Sequence, residues 1–219
     1  MRESPRPGPR VAAVVLAAGA SSRMDSGHKL LAELHGRAVV QRVVASARAS
    51  RADPIVVVLG HRGTEVRACL ARDVGGIDLV ENPSPDAGLA SSLVAGLQAL
   101  PASVEGCVVM LGDMPFVTAV DVDTLIASFD AGAPSVPVVD GRRGNPVLWP
   151  RAFFPDLLGL EGDRGARSLV ESHDIRVVEV HLENKGLLLD IDTQADLERA
   201  RSSTQRQLPS TEPPAGAGS

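Results

Sequence analysis

A loop of small residues that carries two cations follows the first apolar run of the chain. Residues 11–16 are apolar, and the loop at 17–29 contains Arg23 and Lys29. Small side chains let a ligand approach the backbone amides, a guanidinium holds phosphate oxygens bidentately, and an ammonium adds a point charge. The loop suits a triphosphate, and an exposed loop with solvated charges is the alternative. Neither the Walker pattern nor the dinucleotide glycine pattern is present in the sequence.

An acid stands directly after another apolar run, at Asp113. Residues 108–111 are apolar, Gly112 precedes the acid and Pro115 follows it closely. A carboxylate beyond the carboxyl end of a strand, opposite a phosphate-binding loop, could hold a magnesium ion between protein and phosphates. The alternative is a turn or capping acid before a helix that the sequence predicts from about residue 118.

The elements that must position these residues are short apolar runs that alternate with amphipathic stretches. Apolar runs without clean alternation, separated by helices, predict an α/β fold with a mostly parallel sheet buried on both faces. Such sheets place ligands beyond the carboxyl ends of their strands. The predicted strands are 11–16, 55–59, 77–80, 108–111, 135–139, 147–149, 177–180 and 187–189, and the predicted helices include 38–49, 63–72, 91–100 and 120–129.

The later part of the chain predicts an antiparallel element. Strands 135–139 and 147–149 are joined by Asp-Gly-Arg-Arg-Gly at 140–144, which is typical of a hairpin with glycines at the bend. We expect one domain over residues 10–201, with disordered tails at 1–9 and 202–219 that contain few large apolar residues.

Composition disfavours several classes of function. The chain has 219 residues, a formal net charge of -5 and five aromatic residues, so neither a basic field nor a stacking platform for nucleic acid is expected. The longest apolar run, 11–20, is about half the length that a bilayer requires, so no membrane span is expected. Two cysteines fit a reducing cytoplasm. Arginines before the 11–20 run imitate a secretory signal, but the polar loop that follows favours a buried strand.

Five segments in order resemble the molybdenum cofactor cytidylyltransferases, within the wider nucleotidyltransferase family that is similar to the molybdenum cofactor guanylyltransferases. The resemblance covers about residues 11–199. The segments are Leu16-Ala17-Ala18-Gly19 continuing to Arg23 and Lys29, then Gly112-Asp113-Met114-Pro115, Gly144-Asn145-Pro146, Gly162-Asp163-Arg164-Gly165-Ala166-Arg167 and Asp190-Ile191-Asp192-Thr193.

The resemblance implies a three-layer α/β/α Rossmann-like domain that transfers a nucleotide monophosphate and releases pyrophosphate. Arg23 and Lys29 would be catalytic together with Asp113, which would also bind Mg²⁺. Asp192 is expected as the second metal ligand, with Asp190 as the alternative. The expected nucleotide-binding residues are Leu16, Ala17, Ala18, Gly19, Ser21, Arg23, Lys29, Gly88, Ser91, Ser92 and Gly112.

The resemblance also implies the substrates. Ala18 in the first motif is associated with CTP rather than GTP, whereas Asp25 departs from the glycine that the family commonly has after Arg-Met. Molybdopterin is the expected acceptor, contacted by Asn145, Asp163 and Arg167, with Arg164 as a further cation, and a molybdenum hydroxylase is a potential client. Alternatives are another small phosphate acceptor such as a sugar or alditol phosphate, a non-catalytic accessory protein for the cofactor, or a nicotinamide-dependent reductase.

Overall fold

The computed structural model describes residues 8–19, 28–71, 75–163, 165–171 and 175–205. The strands are β1 (Val11–Ala17), β2 (Glu33–Leu34), β3 (Arg37–Ala38), β4 (Ile55–Leu59), β5 (Asp78–Glu81), β6 (Gly106–Leu111), β7 (Ser135–Val139), β8 (Arg142–Arg143), β9 (Val147–Pro150) and β10 (Val178–His181). The helices are α1 (Val39–Ala49), α2 (Gly63–Leu70), α3 (Leu89–Gln98), α4 (Ala119–Ala127), α5 (Phe154–Leu158), α6 (Arg167–Glu171) and α7 (Gln194–Gln205). Short 3₁₀ turns cover Lys29–Leu31, Pro85–Ala87, Arg151–Phe153 and Lys185–Leu188.

The central sheet has the order β10-β7-β9-β6-β1-β4-β5, with β8 paired to the side of β7. Strands β6, β1, β4 and β5 are parallel, and β9 runs antiparallel to both β6 and β7. The carboxyl ends of β1, β4 and β6 therefore lie along one edge. The predicted α/β fold with a mostly parallel sheet is confirmed.

Helices cover both faces of this sheet. Alternate residues of β1 enter two separate cores: Val11, Ala13 and Val15 pack with α1, α2 and α4, whereas Ala12 and Val14 pack with α3 and α5. All seven residues of β1 are buried, which is why the strand is uniformly apolar instead of alternating. The result is the expected three-layer α/β/α arrangement.

One predicted strand is wrong, and the bend of the predicted hairpin differs. Residues 187–189 do not form a strand; a 3₁₀ turn occupies Lys185–Leu188, where the Asn184 side chain accepts a hydrogen bond from the Gly186 amide. The predicted antiparallel pairing of 135–139 with 147–149 is confirmed, since β7 and β9 are neighbours that pair Ser135 with Leu148, but the bend between them differs. The partner of β7 in the tight hairpin is β8, which pairs Val138 with Arg143 and lies within the predicted bend, whereas β9 pairs mainly with β6. A short apolar run does not reveal which strand lies beside it.

A smaller apolar cluster holds the C-terminal part of the chain against β2 and the start of α1. It contains Leu34, Val39, Ile191, Leu197 and Ala200. Ile191 is 1% exposed, and its amide donates to the Asp113 carbonyl at 2.9 Å. The cluster thereby brings the segment around Ile191 to the carboxyl end of β6. Helix α7 extends to Gln205, four residues beyond the expected limit of the folded domain.

Candidate active site

A cavity of about 540 Å³ lies at the carboxyl ends of β1 and β6. It is bounded by the end of β1, the Lys29–Leu31 turn, the start of α3 and the segments after β6 and Ile191. Eight of the residues predicted to bind nucleotide or metal line it: Leu16, Ala18, Gly19, Lys29, Gly88, Ser92, Asp113 and Asp192.

The centre of this cavity is an ammonium between two carboxylates. Lys29 Nζ donates to Asp113 Oδ2 at 2.5 Å and to Asp192 Oδ1 at 2.6 Å. The side chains of Lys29 and Asp113 are 15% and 17% exposed, and that of Asp192 is 31% exposed. Burial opposes the charge of the lysine, but the attraction of both carboxylates outweighs burial and raises the pKa of Lys29. The cluster joins residues separated by up to 163 positions in the sequence.

The two acids beside Ile191 face different cavities. Asp192 lines the first cavity, and Asp190 lines a second, neighbouring one. Burial, reinforced by the negative charges of Asp192 and Asp113, raises the pKa of Asp190. Of the two alternatives for the second metal ligand, Asp192 is the one that shares Lys29 with Asp113.

The chemistry of Asp113 and Asp192 fits a hard divalent cation. Asp113 Oδ2 binds Lys29, whereas Asp113 Oδ1 is buried without a hydrogen-bond partner in the described part of the chain. Mg²⁺ prefers oxygen ligands and is usually bound by one or two carboxylates together with water and substrate phosphates. Within the described residues, no group of three or more acidic, histidine or cysteine side chains could hold a metal ion by itself. A cation here would therefore take further ligands from phosphate oxygens or water.

The end of β1 is held against the loop after β4. A Cβ atom on Gly60 would lie 2.6 Å from the Ala18 Cβ, so only glycine allows this contact. The His61 amide and His61 Nδ1 both lie 3.2 Å from the Ala18 carbonyl oxygen, and His61 Nε2 lies 2.9 Å from Asp86 Oδ1. His61 and Asp86 both line the first cavity, and neither belongs to a motif that identifies it from the sequence.

The start of α3 forms the opposite wall. Gly88 has φ +91°, and a Cβ there would lie 2.3 Å from the Gly162 carbonyl carbon. The Ala90 amide donates to the Gly162 carbonyl at 3.0 Å, which fixes the following Asp163 beside α3. Asp163, predicted to contact the acceptor, thus lines the first cavity, with Lys29 and Asp113.

A second cavity of about 340 Å³ adjoins the first, and Leu111 lines both. Asn145 and Arg167, which the sequence analysis expects to contact the acceptor, line it together with Asp190 and two further arginines. Arg143 donates to Glu179 Oε1 through two nitrogens, at 2.8 and 3.0 Å, and Arg167 donates to Glu171 Oε1 at 2.9 Å. Arg142 is exposed and has no acidic partner among the described residues, so its charge is the least neutralised of the three.

The remaining predicted residues fall into two groups. Ala17 is fully buried in β1, Gly112 packs on the Leu16 carbonyl, and the Ser91 hydroxyl binds the Ser84 and Gly88 carbonyl oxygens, so these three support the cavity wall without lining it. Ser21, Arg23 and Arg164 lie outside the described residues.

Comparisons with known proteins identify the family. The family model described as the MobA-like NTP transferase domain matches residues 13–177. The chain belongs to the MobA-like NTP transferase family. The matched segment includes most of β1 as well as Lys29 and Asp113, and it ends before Asp192. Nucleotidyl transfer is the activity of this family. Separately, no helix in the described ranges is long and apolar enough to cross a membrane.

Individual relatives of this MobA-like chain carry different names. It is 32% identical over 171 residues to the bifunctional protein GlmU of Kineococcus radiotolerans, covering 77% of this chain and 33% of that protein. The chain thus spans about a third of the length of the GlmU relatives that it matches. It is 29% identical to the molybdenum cofactor cytidylyltransferase of Escherichia coli K12, over 86% of this chain and 94% of that protein.

A solved structure agrees with the fold. The crystal structure of Rv0371c from Mycobacterium tuberculosis H37Rv superposes with a TM-score of 0.80 at 30% identity, covering 90% of this chain and all of that one. A second structure of Rv0371c is a complex with manganese, with a TM-score of 0.76 at 28% identity.

Proposed function

We propose that the protein transfers CMP from CTP to the phosphate of a molybdopterin-type cofactor and releases pyrophosphate. The observation that carries this proposal is the Lys29 bridge between Asp113 and Asp192 in a nucleotide-sized cavity, beside a second cavity with three arginines. The similarity to a molybdenum cofactor cytidylyltransferase over 94% of its length supports the choice of substrates.

The reaction needs charge neutralisation and alignment more than acid-base chemistry. An oxygen of the acceptor phosphate attacks the α-phosphorus of CTP, the new P–O bond forms, and the bond to the oxygen that bridges the α- and β-phosphorus breaks. Pyrophosphate leaves with that oxygen. The attacking phosphate is already ionised, so no general base is required. Holding two anions in line is the main task of the protein.

Lys29 is the catalytic cation of this proposal. Its raised pKa keeps it charged at neutral pH, and Asp113 and Asp192 fix its position. A fixed ammonium stabilises the charge that develops on the leaving pyrophosphate without reorganisation during the reaction. Arg23 is proposed to assist from the loop after β1.

Asp113 and Asp192 would hold a divalent cation, proposed to be Mg²⁺. Such a cation supplies charge neutralisation for the triphosphate. The unpartnered Asp113 Oδ1 supports this assignment, as does the manganese complex of Rv0371c. Without a divalent cation, the negative charge of the two carboxylates and the neighbouring Asp190 exceeds the positive charge of Lys29 and would repel a triphosphate.

The second cavity is proposed to bind the acceptor. The Asn145 side chain offers one donor group and one acceptor to a pterin edge, and Arg142 and Arg167 offer positive charge. Leu111 separates this cavity from the Lys29 site, so an acceptor here would lie directly beside the nucleotide. A molybdenum hydroxylase is the proposed client of the product.

Pyrophosphate release tests the proposal. The protein is incubated with each of the four nucleoside triphosphates and Mg²⁺, with and without molybdopterin. The proposal expects rapid release only with CTP and molybdopterin together. Pyrophosphate release with GTP, or with a sugar phosphate in place of molybdopterin, would show that the proposed substrates are wrong and that the nucleotidyl transfer is correct. Oxidation of NAD(P)H without pyrophosphate release, or binding of molybdopterin without turnover of any triphosphate, would overturn it.

A further inference from the structure

A buried amide at the end of β5 contacts the hydroxyls of two serines at the start of α3. Asn82 is 5% exposed, and its Nδ2 donates to Ser91 Oγ at 2.8 Å and to Ser92 Oγ at 3.0 Å. Asn82 Oδ1 accepts from the Ser84 amide at 2.9 Å. The amide is therefore fixed in orientation, because its oxygen has a backbone donor and its nitrogen has two hydroxyl acceptors.

The two serine hydroxyls differ in where they can donate. A hydroxyl has one proton, and an oxygen that accepts from Asn82 must direct that proton elsewhere. Ser91 Oγ donates to a backbone carbonyl, with the Gly88 oxygen at 2.8 Å and the Ser84 oxygen at 2.9 Å. Ser92 Oγ has no acceptor among the described residues, and Ser92 lines the first cavity.

We propose that Asn82 is a positioning residue that directs the Ser92 hydroxyl proton into the first cavity, where it donates to an oxygen of the bound nucleoside triphosphate. This inference rests on the proposed function for the location of the nucleotide, and it holds for any base or acceptor. A donor fixed before binding avoids the entropy loss of orienting a free hydroxyl, so its contribution appears mainly in nucleotide affinity.

Both hydroxyls accept from the same buried amide, and of the two, the Ser91 hydroxyl has a carbonyl acceptor for its own proton among the described residues. If Ser92 only packed in the wall, its proton would remain unpaired at the edge of the cavity, which is costly once a ligand excludes water. An oxygen of the nucleotide satisfies it. Ser92 is then a binding residue, and Asn82 acts through it.

A double-mutant cycle of Ser92 and Asn82 tests this role in the full-length protein. The affinity for CTP with Mg²⁺ is measured by calorimetry, and KM and kcat by pyrophosphate release, for wild type, Ser92→Ala, Asn82→Ala and the double variant. We expect Ser92→Ala to weaken CTP binding by about 3- to 10-fold with little change in kcat, as for a neutral hydrogen bond. Asn82→Ala should weaken it by a similar factor in wild type and by less than about 2-fold in the Ser92→Ala background.

Melting temperatures and a matched variant separate binding from folding. Ser128→Ala removes a hydroxyl that donates to the Leu125 carbonyl at the end of α4, away from both cavities, and should leave CTP affinity unchanged. Equal losses for Asn82→Ala in both backgrounds, or an unchanged CTP affinity in folded Ser92→Ala, would overturn the inference. If Lys29→Ala and Asp113→Ala also bind CTP normally, the proposed nucleotide site itself fails. If those two variants lose binding and the Ser92 series does not, only this inference fails.

Discussion

Replacing Lys29 by methionine removes the ammonium that joins Asp113 to Asp192 and keeps an unbranched apolar stem. The two carboxylates then face each other across a site in which the Asp113 side chain is only 17% exposed. Removing one partner of a buried ion pair costs about 3–5 kcal/mol. Because Asp192 is 31% exposed and water can screen it, we expect a loss of about 2–4 kcal/mol in metal-free buffer. That loss corresponds to a decrease in Tm of about 5–15 °C.

A divalent cation should recover part of this loss. With a dissociation constant on the order of 1 mM, 10 mM Mg²⁺ would stabilise Lys29→Met by about 1.4 kcal/mol. The assay is urea unfolding in EDTA and in MgCl₂, with Lys185→Met as the control, because Lys185 forms an exposed pair with Asp140. If Lys29→Met is as stable as wild type in EDTA, or if Mg²⁺ stabilises Lys29→Met and Lys185→Met equally, the ammonium does not hold the two carboxylates together.

Three other changes probe separate parts of the site. Arg142→Ala should raise KM for an anionic acceptor about 10-fold with little change in KM for the nucleotide, and steady-state kinetics with an unchanged acceptor KM would contradict this. Gly88→Ala should cost about 2–4 kcal/mol in urea unfolding, because φ is +91° and the new methyl would meet the Gly162 carbonyl; no loss would show that this contact is not made. Burial lowers the pKa of His28 in the folded protein below its value of about 6.5 in the unfolded chain. The unfolded chain therefore binds the proton first, and the free energy of unfolding decreases as the pH is lowered below about 6.5. His28→Gln should flatten the pH dependence in that window, and an unaltered profile would exclude the residue as its cause.

The fold followed largely from local pattern. The uniformly apolar runs of β1, β4 and β6 identified buried parallel strands, since such strands are covered on both faces. The errors arose where contacts outside the local sequence determine the secondary structure or the partner of a strand. Residues 187–189 have the composition of a strand, but Asn184 caps a 3₁₀ turn there through the Gly186 amide. The hairpin after Val139 closes within two residues, which the five-residue bend did not reveal.

The site residues that belong to sequence motifs were predicted. Those that matter only through contacts with residues distant in the sequence were missed. Asp113 and Asp192 lie 84 and 163 positions after Lys29 in the sequence. The resemblance of their motifs nevertheless singled out all three residues. Asn82, His61 and Arg142 carry no motif, and their significance comes from the neighbours that the fold supplies. Asp163 was expected at the acceptor from the resemblance of its motif, and it lines the first cavity, where a Cβ on Gly88 would lie 2.8 Å from its amide nitrogen.

Anomalous diffraction from crystals grown with CTP and Mn²⁺ tests whether Lys29, Asp113 and Asp192 form one nucleotide and metal site. We expect a manganese peak in contact with Asp113 and Asp192, and CTP density in the cavity with its phosphates beside Lys29. The Asp113→Asn variant under the same conditions should lose most of the peak. A peak elsewhere on the protein, or nucleotide density outside the cavity that these three side chains share, would show that they do not form the nucleotide and metal site.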